Sequence, residues 1–138
     1  MANPFGYSDV LMDHFDQPRN AGELASPDGV GTCPGRGGDR TTFYLRVRGG
    51  VIRNITFKCV GCPPAIAAAS MTTELAKGRP LTDAAAITPD TIIAALGGLP
   101  DNKRHVATVT ANALADAVNH YRAPRNIRRG DAEDTDRP

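Results

Sequence analysis

The run from Thr41 to Phe57 constrains this chain most, because its pattern fits one local structure. In TTFYLRVR, Phe43, Leu45 and Val47 fall on one face and polar residues on the other, the period-two signature of a half-buried strand. Gly49-Gly50 supplies the positive φ angles of a tight hairpin turn, and Val51, Ile55 and Phe57 are expected on one face of the returning strand. Such a hairpin has one apolar face that something must cover, and what remains of the chain is mostly helix-forming.

Ser8 is a cap for a short helix carrying Val10, Leu11, His14 and Phe15, which Pro18 ends; PRNAG then reads as a turn. Residues 63–77, PPAIAAASMTTELAK, read as a helix with proline at its start and Gly78 just past its end. Thr88-Pro89-Asp90 opens a shorter helix stopped by Gly97-Gly98, and Ala107, Ala111, Leu114, Val118 and Tyr121 recur at helical spacing over 107–122. Residues 25–40 are expected to form a glycine-rich loop, able to pass close to other groups or to close over something. The chain of 138 residues suits one domain, expected over 1–122, with 123–138 (ending GDAEDTDRP) a polar, disordered tail.

A formal charge of +1 gives no reason to expect nucleic acid as a partner. No stretch approaches the roughly 18 apolar residues of a spanning helix, and MANPFGYSDVLMDHF does not read as a secretory signal. The expectation is a cytoplasmic protein with no membrane association. There, three cysteines are better read as free thiols or metal thiolates than as disulfides.

FKCVGCPPAIAAAS places two of those cysteines at the junction of strand and helix. Cys59 is in line with Ile55 and Phe57, so it is either a small buried hydrophobe or a ligand. Cys62 precedes Pro63 at the helix start, where a helix N-terminus and its unpaired N–H groups favour negative charge. The pair alone is half of a four-ligand metal site, or a redox dithiol outside the βαβ setting of thioredoxin-like proteins. Cys33, in the glycine-rich loop, is either a third ligand or an idle thiol. His105 is a ligand, a helix-start hydrogen-bonding group or merely exposed; Asp39 in RGGDR is a ligand or, on local chemistry, a turn former. His14 and His120 are read as structural or surface residues, and Arg36, Arg40, Lys103 and Arg104 as a basic patch or four solvated side chains.

Four segments in order give the chain a resemblance to the NifU/IscU-type iron–sulfur cluster assembly scaffolds: YSDVLMDHFDQPRNAG, GGDRTTFYLRV, FKCVGCPPAIAAASMTTELAKG and LGGLPDNKRHVATVTANAL. The resemblance implies an α+β fold, a small antiparallel β-sheet with helices packed mainly on one face. It implies a scaffold or carrier rather than an enzyme, holding iron, a [2Fe-2S] cluster or zinc. It also implies a cysteine desulfurase and an acceptor apoprotein as partners. Cys62 matches the family's second ligand cysteine and persulfide acceptor, Asp39 the carboxylate that keeps the cluster labile, and His105 a nitrogen ligand. The first and third ligand cysteines fall on Gly37 and Val106, which have no ligating side chain. Cys33 and Cys59 are the candidates to replace them in a rearranged metal site. Leu99, Pro100 and Lys103 of LPDNK match the family's LPPVK-type chaperone motif, without its second proline. Two rival readings stand beside the scaffold: a module binding or regulating a desulfurase without building clusters, and an enzyme with Cys62 as nucleophile and His105 as base.

Overall fold

The computed structural model describes residues 5–123. Helix α1 (Asp9–Asp16) is followed by three strands, β1 (Gly29–Pro34), β2 (Arg40–Arg48) and β3 (Val51–Val60). Helices α2 (Pro63–Ala76), α3 (Leu81–Ala85), α4 (Pro89–Ala95) and α5 (His105–Arg122) complete the chain, with a short 3-10 turn at Asp101–Lys103. The sheet is antiparallel in the order β1-β2-β3, and the helices cover one face of it.

The hairpin forms where the alternation places it. Phe43, Leu45 and Val47 are buried, and Gly49 and Gly50 turn the chain with φ of 65° and 73°. One detail differs: Ile52, not Val51, faces the core with Ile55 and Phe57. The cause is an irregularity between Arg46 and Val47, where the pairing jumps from Asn54 to Ile52 and leaves Arg53 as an extra residue. A bulge of this kind reverses which side chains face inward beyond it.

The larger correction concerns residues 25–40, expected as a loop. Gly29–Pro34 instead form an edge strand against β2, because α5 packs directly on them. A Cβ added at Gly31 would lie 2.0 Å from the backbone nitrogen of Ala117, and one at Gly29 would lie 2.7 Å from the Ala117 carbonyl. The inward positions of β1 are therefore filled by a helix backbone in place of side chains. α5 also caps the strand's free edge. The Val30 N–H donates to Nδ1 of His120 at 2.9 Å and the Thr32 N–H to Asp116 at 3.0 Å.

The helices begin and end as their caps dictate. The Ser8 hydroxyl accepts the Leu11 N–H and donates to the Leu96 carbonyl, tying α1 to the end of α4. Thr88 caps α4 by accepting the Thr91 N–H, and Gly78 follows α2 with φ of 80°. Helix α2 is buried on nearly every side through Ala65, Ala67, Ala68, Ala69 and Ala76, whose small side chains let it lie between β3, α1, α4 and α5. The last helix starts at His105, two residues before the expected 107. The expected tail falls outside the described residues from 124 onward.

His14 is 7% exposed and its Nδ1 lies 2.8 Å from the Ser70 hydroxyl, which also accepts the Arg19 N–H. Burial lowers its pKa below the ordinary 6.5, helped by the charge of Arg19 and opposed by Asp13 and Glu74. The unfolded chain then binds a proton near pH 6.5 that the folded chain refuses, so stability is full above that pH and falls as pH drops below it. Thermal denaturation at pH 7.5 and 5.5 should show a lower melting point at the acid pH. A smaller drop is expected in His14→Gln.

Candidate functional site

The chemistry-bearing residues gather where the β1–β2 loop, the end of β3 and the starts of α2 and α5 meet. The loop is a tight turn. The Gly35 N–H donates to the Asp39 carbonyl at 2.9 Å and the Asp39 N–H to the Arg36 carbonyl at 3.1 Å. Gly37 carries the turn with φ of 64°, so the turn-former reading of Asp39 holds for its backbone. Its side chain points back at the strand–helix junction: a Cβ at Gly61 would lie 3.4 Å from a carboxylate oxygen of Asp39 and 3.0 Å from the Ala65 Cβ. Gly61 thus leaves the room that seats the carboxylate beside Cys62.

Cys62 is the N-cap of α2 in extended conformation, half-buried against the helical core cluster to which Ala65 and Val106 belong. The expected set of unpaired helix N–H groups is not available to it. Pro63 and Pro64 have none, and those of Ala65 and Ile66 donate to the Cys62 carbonyl at 2.9 and 3.1 Å. No hydrogen bond caps the helix through the thiol.

His105 opens α5 and, with Asp39, Arg36, Gly35, Thr41 and Val109, lines a shallow open depression. Partial burial lowers its pKa, with Arg36 and Lys103 adding to the effect and Asp39 and a backbone hydrogen bond with Asn102 opposing it. The imidazole is therefore neutral near pH 7, with a lone pair to offer a metal ion or a proton. Leu99, Pro100 and Lys103 lie just upstream: Leu99 packs on the helical core, and Pro100 starts the 3-10 turn whose end delivers His105. Of the basic patch, Arg36 and Lys103 are close enough to act on His105, while Arg104 makes an exposed contact of 3.8 Å with Asp90.

Cys33 does not join this corner, and Cys59 borders it, near enough to feel Asp39 and Cys62. Cys33 stands on β1, not on a mobile loop, opposite Thr41, and Thr41 stands opposite Cys59. The two thiols are two strand spacings apart, roughly 10 Å, with buried Thr41 between them. Thr41 Oγ1 lies 3.6 Å from Cys59 Sγ. Burial pushes the Cys59 thiol up, opposed by this hydrogen bond and reinforced by the charges of Asp39 and Cys62, so it stays protonated at neutral pH. Among the described residues no group of three or more His, Cys, Asp or Glu side chains is placed to hold a metal ion. The rearranged set of Cys33, Cys59, Cys62 and His105 is thus not assembled. Nor is the space of the missing cysteines alike: a side chain at Gly37 would meet nothing within 4 Å, whereas Val106 is 3% exposed and part of the core. Sequence reasoning missed Thr41 and Gly61. Thr41 was signalled by its place in line with Phe43, while nothing local marked Gly61.

Residues 6–128 match the family described as NifU-like N terminal domain. This chain belongs to the NifU/IscU scaffold family. It is 45% identical over 120 residues to the iron-sulfur cluster assembly scaffold protein IscU 1 of Archaeoglobus fulgidus, covering 83% of this chain and 76% of that one. The corresponding scaffold protein of Aquifex aeolicus is 39% identical over 120 residues, with 85% and 76% covered. Among solved structures, the N-terminal part of a NifU-like protein from Brucella abortus superposes with a TM-score of 0.71 over 83% of this chain and 93% of that one. The FiSufU scaffold protein of Fervidobacterium islandicum AW-1 gives 0.67 over 81% and 96%. Both are 18% identical and speak for the fold alone. Family membership makes this a scaffold- or carrier-type protein of iron–sulfur assembly rather than a catalytic enzyme. No helix of the described residues is long and apolar enough to cross a membrane.

Proposed function

We propose that this protein accepts sulfur at Cys62 and carries iron–sulfur cargo at the corner formed by Cys62, Asp39 and His105, sharing that cargo with a partner's ligands. The observation that carries the reading is the half-buried Cys62 at the strand–helix junction, with the Asp39 carboxylate seated over Gly61 beside it. The donors of one chain do not fit a self-contained cluster, which needs four ligands. The ligands this chain does not supply come from outside, from the cysteine desulfurase that supplies sulfur or the apoprotein that receives the cargo. An open depression lined by Arg36, with Lys103 near enough to act on His105, suits an acidic partner surface. Three free thiols suit a reducing compartment, and the cytoplasm is the place we assign.

One observation favours the rival reading, a desulfurase-binding module that builds nothing: the absence of any three-donor group among the described residues. Peptide mapping separates the two. The protein is incubated with a cysteine desulfurase and cysteine, alkylated and digested. The expected result at the earliest times is an added sulfur on the peptide containing Cys62, and none on Cys33. Stimulation or inhibition of the desulfurase with no sulfur on any cysteine would favour the module.

A further inference from the structure

Cys59 is left over by the reading above. It is not a ligand, and a half-buried serine or valine would serve the core as well. Its surroundings nevertheless place it near Cys62: Thr41 Oγ1 is 3.6 Å from Sγ, and Cys59 packs against the same buried cluster as Cys62. We propose that Cys59 is the resolving thiol of a Cys59–Cys62 pair, releasing sulfur delivered to Cys62 as hydrosulfide by closing a disulfide. The inference rests on Cys62 as sulfur acceptor and adds what happens next.

Spacing permits the closure. Three residues span at most about 10 Å when extended, and the chain bends at Gly61 between the two cysteines. A disulfide needs α-carbons within about 7 Å, a separation that residues i and i+3 reach when the chain turns between them. Glycine at position 61 also removes the side chain that would stand between β3 and the start of α2. Cys33 cannot compete, being on the far side of Thr41.

The chemistry balances. A persulfide on Cys62, written Sγ–S⁻, is attacked at its Sγ by the Cys59 sulfur. The Sγ–S bond breaks as the Sγ–Sγ bond forms, and the terminal sulfur leaves as HS⁻ with the Cys59 proton. The outer sulfur gains the two electrons that the cysteine thiols lose, so no external reductant is needed for release. A thiol or dithiol reductant reopens the disulfide for the next cycle.

The test uses full-length, metal-free protein with excess chelator, treated with inorganic tetrasulfide and desalted. Intact mass and hydrosulfide release are then followed over time. Wild type should pass through a form one sulfur heavier and end two hydrogens lighter, with about one hydrosulfide released per chain. The disulfide should lie within the tryptic peptide running from Cys59 to Lys77. Cys59→Ser and Cys59→Ala should keep the added sulfur at least about tenfold longer; two variants are used because a hydroxyl and a methyl perturb a half-buried position differently. Hydrosulfide release at the wild-type rate in both, with no Cys59–Cys62 bridge in wild type, would overturn the inference while leaving Cys62 as acceptor. No sulfur on Cys62 in any of the proteins would overturn both.

Discussion

Gly31→Ala should destabilise the protein by about 3 kcal/mol, the upper end of ordinary overpacking. The added methyl carbon would sit 2.0 Å from the Ala117 nitrogen, 2.5 Å from the Ala117 Cα and 2.5 Å from the Ala113 carbonyl oxygen. All three are backbone atoms of α5, so no side chain can rotate away. Relief requires lifting α5 from β1, which would loosen the bonds from Val30 to His120 and from Thr32 to Asp116. It would also unseat the helix start that carries His105. For a domain of this size the melting point should fall by about 10 °C or more. The control is Gly38→Ala, where a Cβ meets nothing within 4 Å and φ is not positive; it should change stability by less than about 0.5 kcal/mol. Urea denaturation of both variants decides the matter. A Gly31→Ala protein within about 1 kcal/mol of wild type would mean that α5 is not seated on β1 as described.

This contact also explains where the sequence was legible and where it was not. β2 and β3 announce themselves because Phe43, Leu45, Ile55 and Phe57 give the period-two pattern that a covered sheet face requires. β1 carries glycine at the equivalent positions, Gly29 and Gly31, because a helix backbone occupies the space. A strand without apolar alternation reads as a loop from one sequence. The inward shift from Val51 to Ile52 was hidden for a related reason: a bulge changes register without changing composition. α3 was too short, at five residues, to show a period.

In the site, the family resemblance supplied Asp39, Cys62 and His105; the fold lines one depression with Asp39 and His105 and sets the Asp39 carboxylate against Gly61, the neighbour of Cys62. It could not supply the fate of Cys33, since that depends on a strand the pattern concealed. Once β1 is paired, Thr41 stands between Cys33 and Cys59, and the rearranged ligand set dissolves. The helix start was legible in place but not in chemistry. The same prolines that mark where α2 begins also remove the N–H groups that were expected to face the thiol.

The second large effect is expected from Cys62→Ser. Of the three thiols, Cys62 alone lies beside the Asp39 carboxylate seat without being fixed by Thr41 or placed on β1. Serine keeps the size and the helix cap but offers a hydroxyl, which neither accepts sulfane sulfur nor binds iron as a thiolate does. If the cargo is held through Cys62, the variant should lose nearly all of it while its fold and melting point stay close to wild type. Should the protein be only a binding module, the substitution should change no metal content at all.

The decisive measurement is therefore anaerobic purification of wild type and Cys62→Ser, each with its partner desulfurase present, followed by iron, zinc and acid-labile sulfide analysis. The account predicts iron and sulfide in near-equal amounts with wild type and a loss of about tenfold or more in the variant. Zinc alone, or neither metal nor sulfide in either protein, would contradict it.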